Sequence, residues 1–353
     1  MALLSRSFAL TVSTGLMLVA ALSGCGTEKT SADRPTIGFL SQNTSRDFSN
    51  EMSDGFGAGA RIAGGVESIT TGPPTHDGLK QVELFRDLTT KAKGGIAVSA
   101  VAPELLAGPM AEAKDSGIPL IAVAGGQIAP GAGVKLLLEN DNYELGRMLA
   151  DEAIKRLPSG STGKIVLGNN SPAQPALDQR AQGMRDRFTE KLPNVRVTGP
   201  SDTQRDAPAN MVAWQTLVTA NPDALAFLGT GDIDAVNLAT IRANTGGKWL
   251  AGAFSLDPKA LQGVKDGHLF ALVSAEHFVK GAIGGWLLAQ RAKDVRKLPE
   301  GWLVTPGLVV SSSNVDDIVK RQAAKDKQSF FQPQIDAVIS DIDRFLRPLD
   351  QVR

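Results

Sequence analysis

The stretch TIGFLSQNTSRDFSNEMSDGFGAGARIA, residues 36–63, sets a short apolar run, a polar loop and a longer segment of helical period in that order. TIGFL is apolar without alternation, as a strand covered on both faces of a parallel sheet must be. The same unit recurs downstream. VESIT precedes LKQVELFRDLTTKA, GIAVSAV precedes PELLAGPMAEAKDSG, and IPLIAVA comes next. Val82, Leu84, Phe85 and Leu88 recur at roughly helical spacing and give their segment one core face. After VKLLLENDN the rhythm restarts with GKIVLGN, VRVTGPS, DALAFLG, KWLAGAF and LFALVS, each separated by a helical segment. Strands alternating with helices of this length are right-handed βαβ units, so the chain reads as two doubly wound α/β lobes of similar plan. The last segment, FFQPQIDAVISDIDRFLRPLDQVR, reads as a helix packed on the second lobe with Phe330 and Phe331 as anchors.

The N-terminal end obeys a different pattern. MALLSRSFALTVSTGLMLVAALSG has Arg6 as its one charge and an apolar run too short for a span of about 20 residues. A charged start, an apolar middle and small residues at the end describe an export signal. Cys25, the single cysteine of the chain, follows directly, and Leu22, Ser23, Gly24 and Cys25 resemble a bacterial lipobox. That resemblance implies cleavage after residue 24 and lipid on the Cys25 thiol. GTEKTSADRP then reads as a polar tether.

Composition narrows the chemistry. Lysine plus arginine balance aspartate plus glutamate at 37 each, which gives no electrostatic case for nucleic acid. His76, His268 and His277 have no metal-ligand spacing, and with Cys25 occupied no Cys/His zinc set assembles. No Gly-x-Ser-x-Gly elbow occurs. Gly55, Gly57 and Ala60 imitate a dinucleotide loop, but they sit inside a helical segment instead of between strand and helix, so close helix packing is their simpler role. Nothing nominates a nucleophile, a cofactor or a metal. Asp316 and Asp317 read as acids at the positive end of a helix.

Open parallel sheets bind ligands beyond the carboxyl ends of their strands, and two such lobes face to face make a cleft. The loop SQNTSRDFS, straight after the first strand, therefore places Gln42, Asn43, Arg46 and Phe48 at the cleft edge. An aromatic ring for an apolar C–H face, with amides and charges for hydroxyls, suits a small polar solute.

At these residues the chain resembles the type I periplasmic binding proteins, in particular the ribose-binding-like sugar receptors. TIGFLSQNTSRDFSNEMSDGF is similar to that family's first strand, ligand loop and helix; AEAKDSGIPLIAV, ENDNYELGRMLADEAI, NPDALAFLGTGDIDAVNLATI, LQGVKDGHLFALVS and GAIGGWLLAQ fall in its order over residues 36–312. The resemblance implies two Rossmann-like lobes joined by a three-crossing hinge, with crossings near Asp141, Ala275 to Glu276 and Pro306. It implies a signal peptide over 1–24, a tether over 25–35, an N-terminal lobe of 36–141 plus 277–305, and a C-terminal lobe of 142–276 plus 306–353.

Its site residues carry over unevenly. Phe48 falls on a ring that stacks on sugar. An Asp-Arg pair after the fourth strand is replaced by Ala124 and Gly125, with Gln127 nearby; an arginine early in the second lobe's first helix is replaced by Asp178, with Arg180 two residues on; an aromatic is replaced by Arg205. Later polar contacts fall on Thr230, Ser255 and Ala275, the last beside Glu276. Arg46 and Arg205 suit an anionic ligand such as a sugar acid, whereas pairing with Asp178 or Glu276 would leave the ligand neutral. What the resemblance implies is a non-enzymatic, lipid-anchored extracytoplasmic receptor. It would capture a sugar, sugar acid or polyol for an ABC permease, or alternatively for a membrane sensor.

Overall fold

The computed structural model describes residues 34–125 and 128–352. In chain order the elements begin β1 (Thr36–Leu40), α1 (Asp47–Ala63), β2 (Glu67–Thr71), α2 (Gly78–Lys91), β3 (Gly95–Val98), α3 (Pro103–Asp115), β4 (Leu120–Val123) and β5 (Leu136–Asn140). They continue α4 (Asn142–Ile154), β6 (Gly163–Asn169), α5 (Pro175–Lys191), β7 (Val195–Asp202), α6 (Ala207–Ala220), β8 (Ala224–Gly229), α7 (Asp232–Thr245), β9 (Leu250–Ala253), α8 (Pro258–Lys265) and β10 (Ala271–Ser274). The final third holds α9 (His277–Ala292), β11 (Gly301–Thr305), β12 (Leu308–Val310), α10 (Val315–Ala323), α11 (Gln328–Ile339), α12 (Ile342–Phe345) and β13 (Leu346–Arg347).

Among the described residues these strands make two sheets, ordered β13-β11-β5-β4-β3-β1-β2 and β12-β10-β9-β8-β6-β7. Pairing is parallel except at one edge of each, where β13 runs against β11 and β12 against β10. The unbroken apolar runs become strands such as β3 and β4, buried along their whole length. Each sheet reverses its strand order at one point, between β1 and β3 in the first and between β6 and β8 in the second. Both switch points leave room for a ligand beyond the carboxyl ends.

Each sheet has a core on both faces. On the first, Phe39, Phe56 and Ile283 lie in one cluster and Phe85, Leu106 and Leu137 in the other. On the second, Phe227, Leu238 and Trp214 lie on one side and Leu149, Phe188 and Leu228 on the other. Helices α1 and α9 cross at backbone contact: a Cβ on Gly55 would lie 2.1 Å from the Phe278 carbonyl oxygen, and one on Gly281 would lie 2.0 Å from that of Met52.

The chain leaves the first sheet after β5, at Asp141, and re-enters it with α9 after Ala275 and Glu276. It leaves again after β11, at Pro306. The C-terminal segment departs from expectation. It does not stay on the second lobe: Phe331, Ile335, Val338 and Ile342 are buried in the first sheet's core, and β13 pairs with β11. The spacing of those four residues forms one apolar stripe, and the ring of Phe331 stacks on Phe278 of α9 at 4.6 Å. Phe330 points out and is exposed. Among the described residues no helix is long and apolar enough to cross a membrane. The predicted signal, Cys25 and most of the tether lie outside the described residues.

Candidate functional site

A cavity of about 560 Å³ opens where the carboxyl ends of both sheets meet, walled by loops after β1, β6, β8, β9 and β10. From the first sheet come Gln42, Arg46 and Phe48. Asn43 shapes their loop by accepting the Arg46 N–H at 3.0 Å, and α1 starts at the next residue. Gln42 is buried and donates to the Ala100 carbonyl at 3.3 Å. The half-buried Phe48 ring lies 5.4 Å from the His277 imidazole, tilted by 47°.

Two charged side chains sit deep in this wall. Lys280 Nζ donates to Glu139 Oε1 at 2.7 Å, with both side chains at most 3% exposed. Glu139 Oε1 also accepts the Asn140 N–H, so the carboxylate is tied to its own strand. Burial pulls the Lys280 ammonium down from its ordinary value, and Glu139 opposes that pull. Burial, then the charges of Lys280 and Arg180, hold the His277 imidazole well below its ordinary pKa, so it is neutral. Its Nδ1 is buried without a hydrogen-bond partner among the described residues.

The second sheet supplies the opposite wall. Arg180 on α5 donates from Nε to Asn142 Oδ1 at 2.9 Å and from Nη1 to the Thr230 carbonyl at 3.0 Å. Its guanidinium lies 4.4 Å from the centroid of the Phe254 ring, within cation–π range. Burial draws its pKa down to about 10, against the attraction of Glu139 and Asp232. Arg205 Nη1 donates to Ser171 Oγ at 2.9 Å and Gln174 Oε1 at 3.4 Å. Asn170 lines the cavity, and its side-chain oxygen is buried without a hydrogen-bond partner among the described residues. Ser255 also lines it and accepts the Asp257 N–H. Across the opening Arg46 and Asp232 form an ion pair at 3.7 Å.

Of the residues expected at the cleft, Gln42, Arg46, Phe48, Arg205 and Ser255 are brought together here. Gln127 lies outside the described residues. Three others stand elsewhere. Asp178 is exposed and accepts from Asn169 Nδ2 at 2.7 Å; two residues along a helix turn a side chain by about 200°, so Arg180 faces the cavity and Asp178 faces away. Thr230 is buried behind the wall, where it bonds Asn169 and holds Arg180 through its carbonyl. Glu276 is fully buried at the crossing, gripped by both Nη atoms of Arg321 at 2.9 and 3.0 Å.

Sequence reasoning passed over Glu139, Lys280, Asn170 and Asp232. The first two left a signal, a charge in an otherwise apolar run, in LLLEN and in HFVKGAIGGWLLA. A buried charge without a partner is too costly to keep, so two such charges imply each other.

Two sheets of matched strand order facing one polar cavity from their carboxyl ends define the two-lobed periplasmic binding proteins of type I. Residues 37–296 match the model of the periplasmic binding protein domain family, and this chain belongs to that family, one of binding proteins and not of enzymes. The chain is similar to the D-allose-binding periplasmic protein of Escherichia coli strain K12, 24% identical over 262 residues, which cover 72% of this chain and 84% of that one. Among solved structures it resembles the arabinose-binding protein AraP of Geobacillus stearothermophilus, with TM-score 0.72, 24% identity, and 81% and 99% of the two chains covered. It also resembles a periplasmic solute-binding protein of Actinobacillus succinogenes with bound D-allose, with TM-score 0.72, 20% identity, and 80% and 100% covered.

Proposed function

We infer that this protein is an extracytoplasmic receptor that closes its two lobes on a sugar or similar small polar solute and presents it to an ABC permease. The carrying observation is the cavity itself: both sheets contribute to it, and two of its lining residues, Asn170 and His277, carry buried polar atoms, Oδ1 and Nδ1, without a hydrogen-bond partner among the described residues. Polar atoms left unpaired in this way are costly, and a lining that rearranges as the lobes close on a ligand can relieve that cost. Phe48 adds an apolar face suited to sugar C–H groups, and the sugars bound by the similar proteins support the same class. A solute touching both walls favours the closed arrangement, because only there does it meet both sets of contacts. The lipobox-like residues support attachment through Cys25 to a membrane, on its extracytoplasmic or periplasmic face.

The test is a thermal-shift and calorimetry screen of the purified protein against sugars, sugar acids and polyols. A ligand at a hundred times its dissociation constant adds about 2.7 kcal/mol of stability. No shift with any compound of these classes would falsify the receptor reading. For the anchor, metabolic lipid labelling of wild type and Cys25→Ser is decisive: label is expected on the first alone, and label on the serine variant refutes the lipobox.

A further inference from the structure

The cavity wall carries its charge unevenly. At the inner end Glu139 and Lys280 close on each other, and His277 beside them is neutral. On the second-sheet side stand two guanidiniums, Arg180 and Arg205, whose hydrogen bonds among the described residues go to uncharged groups: Asn142, Thr230, Ser171 and Gln174. Glu139 and Asp232 act on Arg180 through space, and Asp232, ion-paired with Arg46, acts through space on Arg205 as well. The two arginines flank Asn170. Arg205 bonds the residue after it, and Arg180 bonds Thr230, whose neighbour Gly231 packs so closely on the Asn170 amide that a Cβ there would lie 2.2 Å from it. The remaining acids of the lining stand at the mouth or are otherwise engaged. Asp47 and Asp54 are exposed on α1, Asp257 caps α8 through the Lys259 N–H, and burial raises Glu51 to about 7.

A buried guanidinium without a carboxylate is only partly satisfied by neutral acceptors, and its planar fork matches a carboxylate. Asn170 and His277, which also line the cavity, bring an amide and a neutral imidazole, both suited to hydroxyls. We propose that the cavity is selective for a polyhydroxylated monocarboxylate, a sugar acid, with its carboxylate on the Arg180–Arg205 side and hydroxyls against Asn170 and His277. This rests on the reading of the cavity as a site for sugar-like solutes and narrows it to one charge class.

Calorimetry with matched pairs separates the two levels: D-galactose with D-galacturonate, D-glucose with D-glucuronate, and D-arabinose with D-arabinonate. At least one acid is expected to bind about tenfold or more tightly than its neutral partner. Arg180→Gln and Arg205→Gln are each expected to remove most of that preference while changing the neutral sugar's affinity less. Arg205 is half-buried and its variant keeps the proposal testable should Arg180→Gln fold poorly. Neutral sugars binding as tightly as the acids, or an acid preference untouched by both variants, overturns the carboxylate assignment and leaves a sugar site standing. Binding of neither kind removes the sugar reading as well.

Discussion

Glu51 lies on α1 where it faces the chain's return from the second sheet, with Gln322 Nε2 at 3.4 Å and Glu276, Arg321 and Lys327 around it. Burial above all, then the charge of Glu276, raises its pKa from 4.5 to about 7 despite the two cations and the amide. Between those values the folded protein keeps a proton that the unfolded chain has lost, so stability falls as pH rises from about 4.5 to about 7 and levels off above. Glu51→Gln keeps the shape and removes the titration. It is expected to match wild type near pH 4.5 and to exceed it at pH 8 by on the order of 2–3 kcal/mol. Thermal melts of both proteins across that range decide, and parallel profiles would show that Glu51 ionises normally. One turn earlier on the same helix, Phe48→Ala is expected to weaken ligand binding about tenfold with little change in melting temperature, since its ring is half-buried. Unchanged affinity would remove Phe48 from the site. How far residues of this kind are legible in sequence depends on helix phase. Phe48 follows the first strand by a short loop and was readable, whereas aligning an arginine onto Asp178 missed Arg180 because a two-residue error on a helix reverses the face.

Among the elements, the helix pairs α1–α9 and α4–α5 repeat one device in both lobes. Gly55, Gly59, Gly281 and Gly285 bring the first pair together, and Gly146 and Gly183 the second, each leaving less than 2.3 Å between a built Cβ and a facing carbonyl oxygen. Gly57 on the same helix α1 is different, with only the Arg61 guanidinium at 3.4 Å. Gly55→Ala is therefore expected to destabilise by about 1–3 kcal/mol, while Gly57→Ala stabilises by up to about 1 kcal/mol through helix propensity. Melting temperatures moving in the same direction would refute the packing account. In the second lobe the carbonyl above Gly146 belongs to Arg180, so Gly146→Ala is expected to shift that residue and weaken ligand binding as well as stability. The sequence carried these elements well: GKIVLGN is β6 to the residue, because a strand buried on both faces leaves an unbroken apolar run with polar ends. Gly55 was legible as a packing glycine for a related reason, its place inside a helical period.

At the scale of the whole molecule, the destination of the C-terminal helix was not legible. An apolar stripe states that a helix has a core face, but either lobe offers an apolar surface, and which one is nearer depends on the path from β12 through α10. That path ends with Phe331 between the lobes' elements. Its ring stacks on Phe278 of α9 in the first core, while the Arg321 guanidinium of α10 lies 4.4 Å from its centroid and grips Glu276 at the crossing. Truncating this ring removes a buried aromatic from the first core and the surface on which Arg321 rests. Phe331→Ala is expected to cost about 3–5 kcal/mol, borne by the first lobe, because the second sheet's clusters do not include Phe331. With one lobe weakened and their shared contact cut, differential scanning calorimetry is expected to show two transitions in the variant where wild type shows one, the lower belonging to the first lobe. Ligand should raise the lower transition more than the upper, since unfolding either lobe destroys a site that needs both walls. A single transition in Phe331→Ala, displaced by less than about 1 kcal/mol, would mean that the C-terminal helix covers the first lobe without holding the lobes' stabilities together.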